Sequence, residues 1–390
     1  METDPEVLLD RAAGAILGVF IGDALGVGVH WQYDLDKLER ERGYVTGYLD
    51  PLPGTFHSGT DDAPGKGQLK AGQLEQQGEV TKLLLKSLAS KHCLDQNDFH
   101  DCFEKEILLE DSMDGTRKGG KYGWTDKTIC DVYKARILNK KPWPECVLPR
   151  SDTPDTIVRA ALIAAAYFLN PRAMCCHVQA HSKALTCDSS VQAHSVAFAC
   201  LLAGIIQGLP LDKDLSWKVY TQAGDPLPFS SVHSDKDHDA EYGDYTEPDS
   251  LLWFGMIAEG TKNVGKNIEP AHRGVELYGK FCAFYGVLGS AYYCAARFPE
   301  DFEKAMLCSL NGGGQNTMRS SLVGALLGAR VGLKSIPKRF IQGLEDHENI
   351  VALATHVAQD ALDRVTSSDG WRWPKGEEKL PAIGVKKQSE

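Results

Sequence analysis

Apolar residues recur at intervals of three and four along most of the chain, the spacing of helices that turn one face to a core. The pattern predicts helices over 8–27, 78–90, 156–169, 191–207, 279–297, 318–331 and 350–364. In the second of these, Leu83, Leu84 and Leu88 form one stripe, and Lys82 and Lys86 stand off it. No stretch alternates with period two, so the expected class is all-α. Two polar, Gly- and Pro-containing stretches, 44–74 and 223–250, interrupt the helices. Loops this long inside a domain tend to be functional. No linker divides residues 1–365, which are expected to form one compact multi-helix domain. Residues 366–390 turn to Ser, Gly, Pro and Lys and read as a loosely ordered tail.

Composition narrows the function classes. The 390 residues are 43% apolar, enough to bury a core, and carry a net charge of −11. That balance disfavours nucleic acid and anionic membrane surfaces, both of which call for cationic faces. The apolar run 12–29 has Asp23 inside it, which suits a buried helix of a soluble protein better than a membrane span. The start of the chain is acidic and has no signal-peptide pattern. Eleven cysteines, an odd number without C-x-x-C spacing, suggest reduced thiols and a cytoplasmic setting. Cys175 and Cys176 are expected to be half-buried on a helix.

Glycine is the unusual residue, at 38 positions against a usual share of about 7%. Gly14, Gly18, Gly22 and Gly26 recur every fourth residue and form one ridge on a helix. Gly324, Gly328 and Gly332 repeat the device. Each glycine costs roughly 1 kcal/mol against alanine in a helix interior, so close packing must compensate. Gly312, Gly313 and Gly314 lead into the second glycine helix, where exposed amides would suit an anion.

These segments together resemble the ADP-ribosylglycohydrolase family. Gly18-Val-Phe-Ile-Gly22-Asp23-Ala-Leu-Gly26 is similar to its opening helix. The helix ending at Ser87-Leu88-Ala89 and the run from Gly313 to Met318, continued by 322–329, match two further anchors. Arg159 to Ile163 matches a mid-chain helix more weakly. The resemblance implies a compact all-α domain and enzymes that cleave glycosidic bonds to ADP-ribose with a dinuclear magnesium site.

The family's metal-binding positions are altered. Its Thr-Asp-Asp-Thr falls here on Glu75, Gln76, Gln77 and Gly78, and its second pair of aspartates on Gln315 and Thr317. Four carboxylates become three amides and a hydroxyl, a poor set for magnesium, which prefers anionic oxygens. The resemblance therefore implies no metal site and no cofactor. Gln76-Gln77-Gly78-Glu79 and Gly313-Gly314-Gln315, with Arg319 four residues on, resemble more the branch of the family that contains the J-crystallins and selenoprotein J. His57 and Lys70-Ala-Gly-Gln73 fit that branch too.

The expected function is a structural or nucleotide-ligand-binding protein, with an ADP-ribose-like small molecule as its partner. Asp23, Gln76, Gln77, Glu79, Gly313, Gly314, Gln315, Asn316, Thr317 and Arg319 are its expected ligand-binding residues. Arg319 and the amides of Gly313 and Gly314 would meet an anion. The alternative is an active ADP-ribosyl hydrolase, with Glu75 or Glu79 as general base and Asp23 or Asp61-Asp62 on a metal ion. Thr60-Asp61-Asp62 reads more simply as a turn, and His177 and His181 as ordinary helix histidines. The acidic run 233–241 reads as a solvated loop.

Overall fold

The computed structural model describes residues 4–58, 68–148, 150–209 and 267–366, with Ile257, Gly260, Thr261 and Gly265. The 223–250 loop, Thr60-Asp61-Asp62 and nearly all of the tail lie outside the described residues.

Asp4 starts the first helix, α1 (Pro5–Val27), by accepting a hydrogen bond from the Glu6 amide at 2.9 Å, and Pro5 supplies a preset φ. Aspartate caps also start α2 (Leu35–Arg42), α4 (Gln96–Phe103), α5 (Lys127–Tyr133), α9 (Ser189–Ile206) and α12 (Phe302–Asn311). The remaining helices are α3 (Gln76–Lys91), α6 (Trp143–Cys146), α7 (Asp155–Tyr167), α8 (Pro171–Ser182), α10 (Gly274–Tyr278), α11 (Phe284–Arg297), α13 (Asn316–Val331), α14 (Lys338–Gly343) and α15 (His347–Thr366). Among the described residues there is no strand, so the class is all-α, as the periodicity predicts.

The two glycine helices form the centre. α1 and α13 run antiparallel, and the ridges face each other. A Cβ on Gly14 would meet the Gly328 carbonyl, one on Gly18 that of Gly324, and one on Gly22 that of Ser320. Gly26 lies against the backbone of Thr317. All four would fall inside the 3.0 Å that real Cβ atoms essentially never cross. The ridge is a packing device, with backbone laid on backbone. α7 and α15 pack on other sides of α1, and α8 and α9 pack on α7.

α9 is long and apolar enough to cross a membrane, with a mean hydropathy of 1.6, yet 83% of it is buried inside the domain. Cys175 and Cys176 are both buried, at 0% and 8% exposed, rather than half-buried as expected. None of the eleven cysteines is in a disulfide.

The expected start of a helix at 279 is corrected to Phe284. Gly279 has a φ of +126° and its backbone lies against Gly286, a geometry no helix accommodates.

Candidate functional site

α1 and α3 meet where a carboxylate rests on a glycine. Gly78 has no side chain, and a Cβ there would collide with the carboxylate of Asp23. Oδ2 of Asp23 accepts the Glu75 amide at 2.8 Å, tying α1 to the first residue before α3. Asp23 is 2% exposed, and burial pushes its carboxyl well above the usual carboxylate range, with the Glu75 charge adding to the effect.

Glu75, also buried, is pushed from 4.5 up to about 8. Burial is the main cause and Asp126 the next; the amides of Gln77 and Gln76 pull the other way, and Asp155 raises it further. Asp126 is itself raised, by burial and by Asp155. Asp155 is paired with Arg159 at 3.2 Å in the core. Four carboxyls thus share one electrostatic neighbourhood. At neutral pH Glu75 keeps its proton, which suits a hydrogen-bond donor or general acid and not a base.

This has a measurable consequence. Between 4.5 and about 8, folded Glu75 binds more proton than unfolded Glu75, so its contribution to stability falls as pH rises through that window. The raised Asp23 has the same sign. Burial lowers His30 and His57, so those two act in the opposite sense. The comparison with Glu75→Gln isolates the effect: relative to wild type, the variant is expected to gain stability steadily from about pH 5 to about pH 8. Urea unfolding midpoints across that range would measure it, and parallel curves would remove the assignment.

An aromatic corner adjoins the carboxyls. Trp31 lies past the end of α1 with a φ of +59°. Its amide donates to the Gly314 carbonyl at 2.8 Å, and the Gly314 amide donates back to Gln32 at 2.7 Å. Its indole Nε1 donates to Oε1 of Gln315 at 2.7 Å. The Trp31 ring stacks on His57, with centroids 5.6 Å apart, and is nearly perpendicular to the Trp124 ring, with centroids 5.4 Å apart. The Arg117 guanidinium lies 4.3 Å from the centre of the Trp124 ring. Two residues past Trp124, the Asp126 amide donates to Oε1 of Gln76 at 2.9 Å. Gln315 and Gln76 therefore flank one aromatic wall. Among the described residues, three buried polar atoms have no hydrogen-bond partner here: Nε2 of His57, whose ring stacks on Trp31, and Nε2 of Gln76 and Oε1 of Gln77 in the first turn of α3.

The other expected ligand-binding residues have different duties. The amides of Gly313 and Gly314 do not stand bare for an anion. Gly314 donates to Gln32, and Gly313 points back to Leu310 at 3.5 Å. Both have positive φ and lie against the backbones of Gln32 and Lys280 respectively. The Gln315 amide donates to Lys280. Asn316 bonds Leu310 and Ser320 within the core. The Thr317 amide, at the start of α13, donates to Nδ1 of His30 at 3.2 Å. Arg319 is 0% exposed and donates to the carbonyls of Ser309, at 2.8 Å, and Gly313, at 2.6 Å. It holds the turn into α13, and of its three guanidinium nitrogens only Nη1 has no hydrogen-bond partner among the described residues, so that atom is the one left for the expected anion. Glu79 is half-buried and paired with Lys82 at 2.8 Å. His177 packs on the ring of Tyr167, and His181 is held by Gln96 and Arg159, as ordinary helix histidines.

Trp31, Trp124, Asp126 and Asp155 are the residues that sequence reasoning misses. Apart from the neighbours Trp124 and Asp126 they are far apart in the chain, and they carry no spacing signal.

An all-α domain built on two glycine helices, with a carboxyl and aromatic corner where α1 meets α3, defines a fold class. A sequence model of the ADP-ribosylglycohydrolase family matches residues 4–368, and the chain belongs to that family. A solved structure described as an ADP-ribosylglycohydrolase-related protein complex is similar in fold, with a TM-score of 0.59 at 19% identity. The match covers 91% of this chain and 99% of that one. No curated protein matches the chain.

Proposed function

We propose that this family member binds an ADP-ribose-like ligand at the corner of Trp31, His57, Gln76 and Gln77, without dinuclear magnesium chemistry. The observation that carries the reading is a set of three buried atoms without a partner among the described residues, one on the imidazole stacked on Trp31 and two on the amides that open α3. A buried polar atom without a partner costs about 1–3 kcal/mol, and a ligand with hydroxyl or amide groups would relieve that cost. Trp31 and Trp124 offer a face and an edge to an adenine or ribose.

The donor set does not fit two magnesium ions. Gln315 gives its Oε1 to Trp31, Gln76 gives its Oε1 to Asp126, and Asp23 gives Oδ2 to Glu75. No reaction step is routed through such a centre. The substitutions at Gln76, Gln77, Gln315 and Thr317 favour the J-crystallin and selenoprotein J branch, and the free thiols favour the cytoplasm. A second reading, an active hydrolase, draws on the carboxyl cluster, where Glu75 would donate its proton to a leaving oxygen.

Calorimetric titration of the full chain with ADP-ribose, with and without Mg2+, separates the two. Saturable binding that is indifferent to Mg2+ and weakened about tenfold or more in Gln76→Ala is the expected result. Release of ADP-ribose from a modified substrate only when Mg2+ is present would favour the hydrolase. The absence of any ADP-ribose heat would defeat the binding reading.

A further inference from the structure

A second cluster of ligand types lies at the opposite end of α3. His92 follows its last residue, sixteen positions beyond Gln76, or roughly 24 Å at 1.5 Å per residue. His356 and Asp360 face it from α15, at i and i+4 on one side of that helix. Nδ1 of His92 is 3.1 Å from Oδ2 of Asp360, and Nε2 of His356 is 3.7 Å from the same oxygen. The three potential ligand atoms lie within 4.8 Å of one another. Tetrahedral zinc with bonds near 2.0–2.1 Å sets its ligand atoms about 3.3 Å apart, so side-chain rotations of about an ångström complete the arrangement.

We infer that His92, His356 and Asp360 form a surface site for a divalent transition-metal ion of the zinc class. Two imidazoles and one carboxylate select zinc-like ions over magnesium or calcium, which take oxygen ligands. The site is open to solvent. The side chains of His92 and His356 are 63% and 48% exposed, whereas that of Asp360, at 16%, is held against the domain. Water completes the coordination.

The backbone prepares the site. His92 takes the left-handed conformation that ends α3, with a φ of +59°, which fixes where its ring leaves the chain. Arg364 stands one turn beyond Asp360. Its guanidinium donates to the carbonyls of His92 and Ala166 and lies 4.5 Å from the centre of the Tyr167 ring. Bound metal would clasp the end of α3 to α15.

The test uses the full chain stripped with a chelator and titrated with Zn2+ and, separately, with Co2+ as a spectroscopic probe. One Zn2+ per chain is expected, with affinity falling at least about tenfold in His356→Ala and in His92→Asn. Asparagine tolerates the left-handed backbone, so the second variant removes the imidazole and keeps the turn. Bound Co2+ should show visible bands without thiolate charge transfer, which separates this site from the cysteines. Zinc affinity unchanged in both variants, or a thiolate charge-transfer band, would overturn the assignment.

Discussion

Gly18→Ala should unfold the protein or lower its stability by roughly 3 kcal/mol or more. In an isolated helix the same change would add about 1 kcal/mol of helix propensity, so even the sign depends on the packing. The new methyl would land on the carbonyl of Gly324, and that carbonyl is itself bound into α13. A flexible side chain could swing aside, but a helix backbone cannot. α1 would have to move off α13, and α7 and α15 pack on α1 as well. Gly22→Ala, against the Ser320 carbonyl, should behave in the same way. Gly47→Ala serves as the control. Its nearest neighbour would be Nη1 of Arg339 at 3.6 Å, an ordinary contact, and the expected change is within about 0.5 kcal/mol. Thermal and urea unfolding of the three variants would check this. A Gly18→Ala protein as stable as wild type would mean that the two helices are not in backbone contact.

The glycine ridges were legible because their information is local. A four-residue repeat fixes a face, and four costly residues on one face leave close packing as the explanation. The long apolar helices were legible for the same reason. Short polar helices such as α2 and α4 were not, since eight residues hold little periodicity, although Asp34 and Asp95 mark their starts. The site divides along the same line. Asp23 and the two glutamines stand at positions that a family pattern marks, and the fold brings them together. Trp31, Trp124, Asp126 and Asp155 join them only through the tertiary structure. The glycine amides before α13 looked free because sequence does not reveal what occupies a helix start. Here Gln32 and His30 fill those places.

The raised carboxyls also bear on the chemistry of the corner. Glu75 sets a second carboxyl beside Asp23, and burial raises both. A proton on Glu75 gives the corner a donor where a metal-binding site would present only acceptors.

Arg319→Met is the second substitution expected to have a large effect, and it separates two roles for one residue. If the guanidinium chiefly holds the turn into α13, the loss is structural. The carbonyls of Ser309 and Gly313 would lose their charged donor inside the core, and so would the Ser309 hydroxyl, now 3.1 Å from Nε. Hydrogen bonds from a charged donor are worth about 1.5–3 kcal/mol each, so a loss of roughly 3 kcal/mol or more is expected. The group stays charged at neutral pH, since burial lowers it only to about 10. Methionine fills most of the space and removes the charge, so the cost reports the hydrogen bonds more than a cavity. Arg319→Lys should recover only part of the stability, because one ammonium cannot reproduce the planar fork that reaches both carbonyls. The measurement pairs the unfolding midpoint with ADP-ribose affinity under conditions where each variant remains folded. A lower midpoint with nearly unchanged affinity is the expected pattern. An unchanged midpoint with affinity lost would place Nη1, the guanidinium nitrogen without a partner among the described residues, on the ligand and make Arg319 an anion-binding residue.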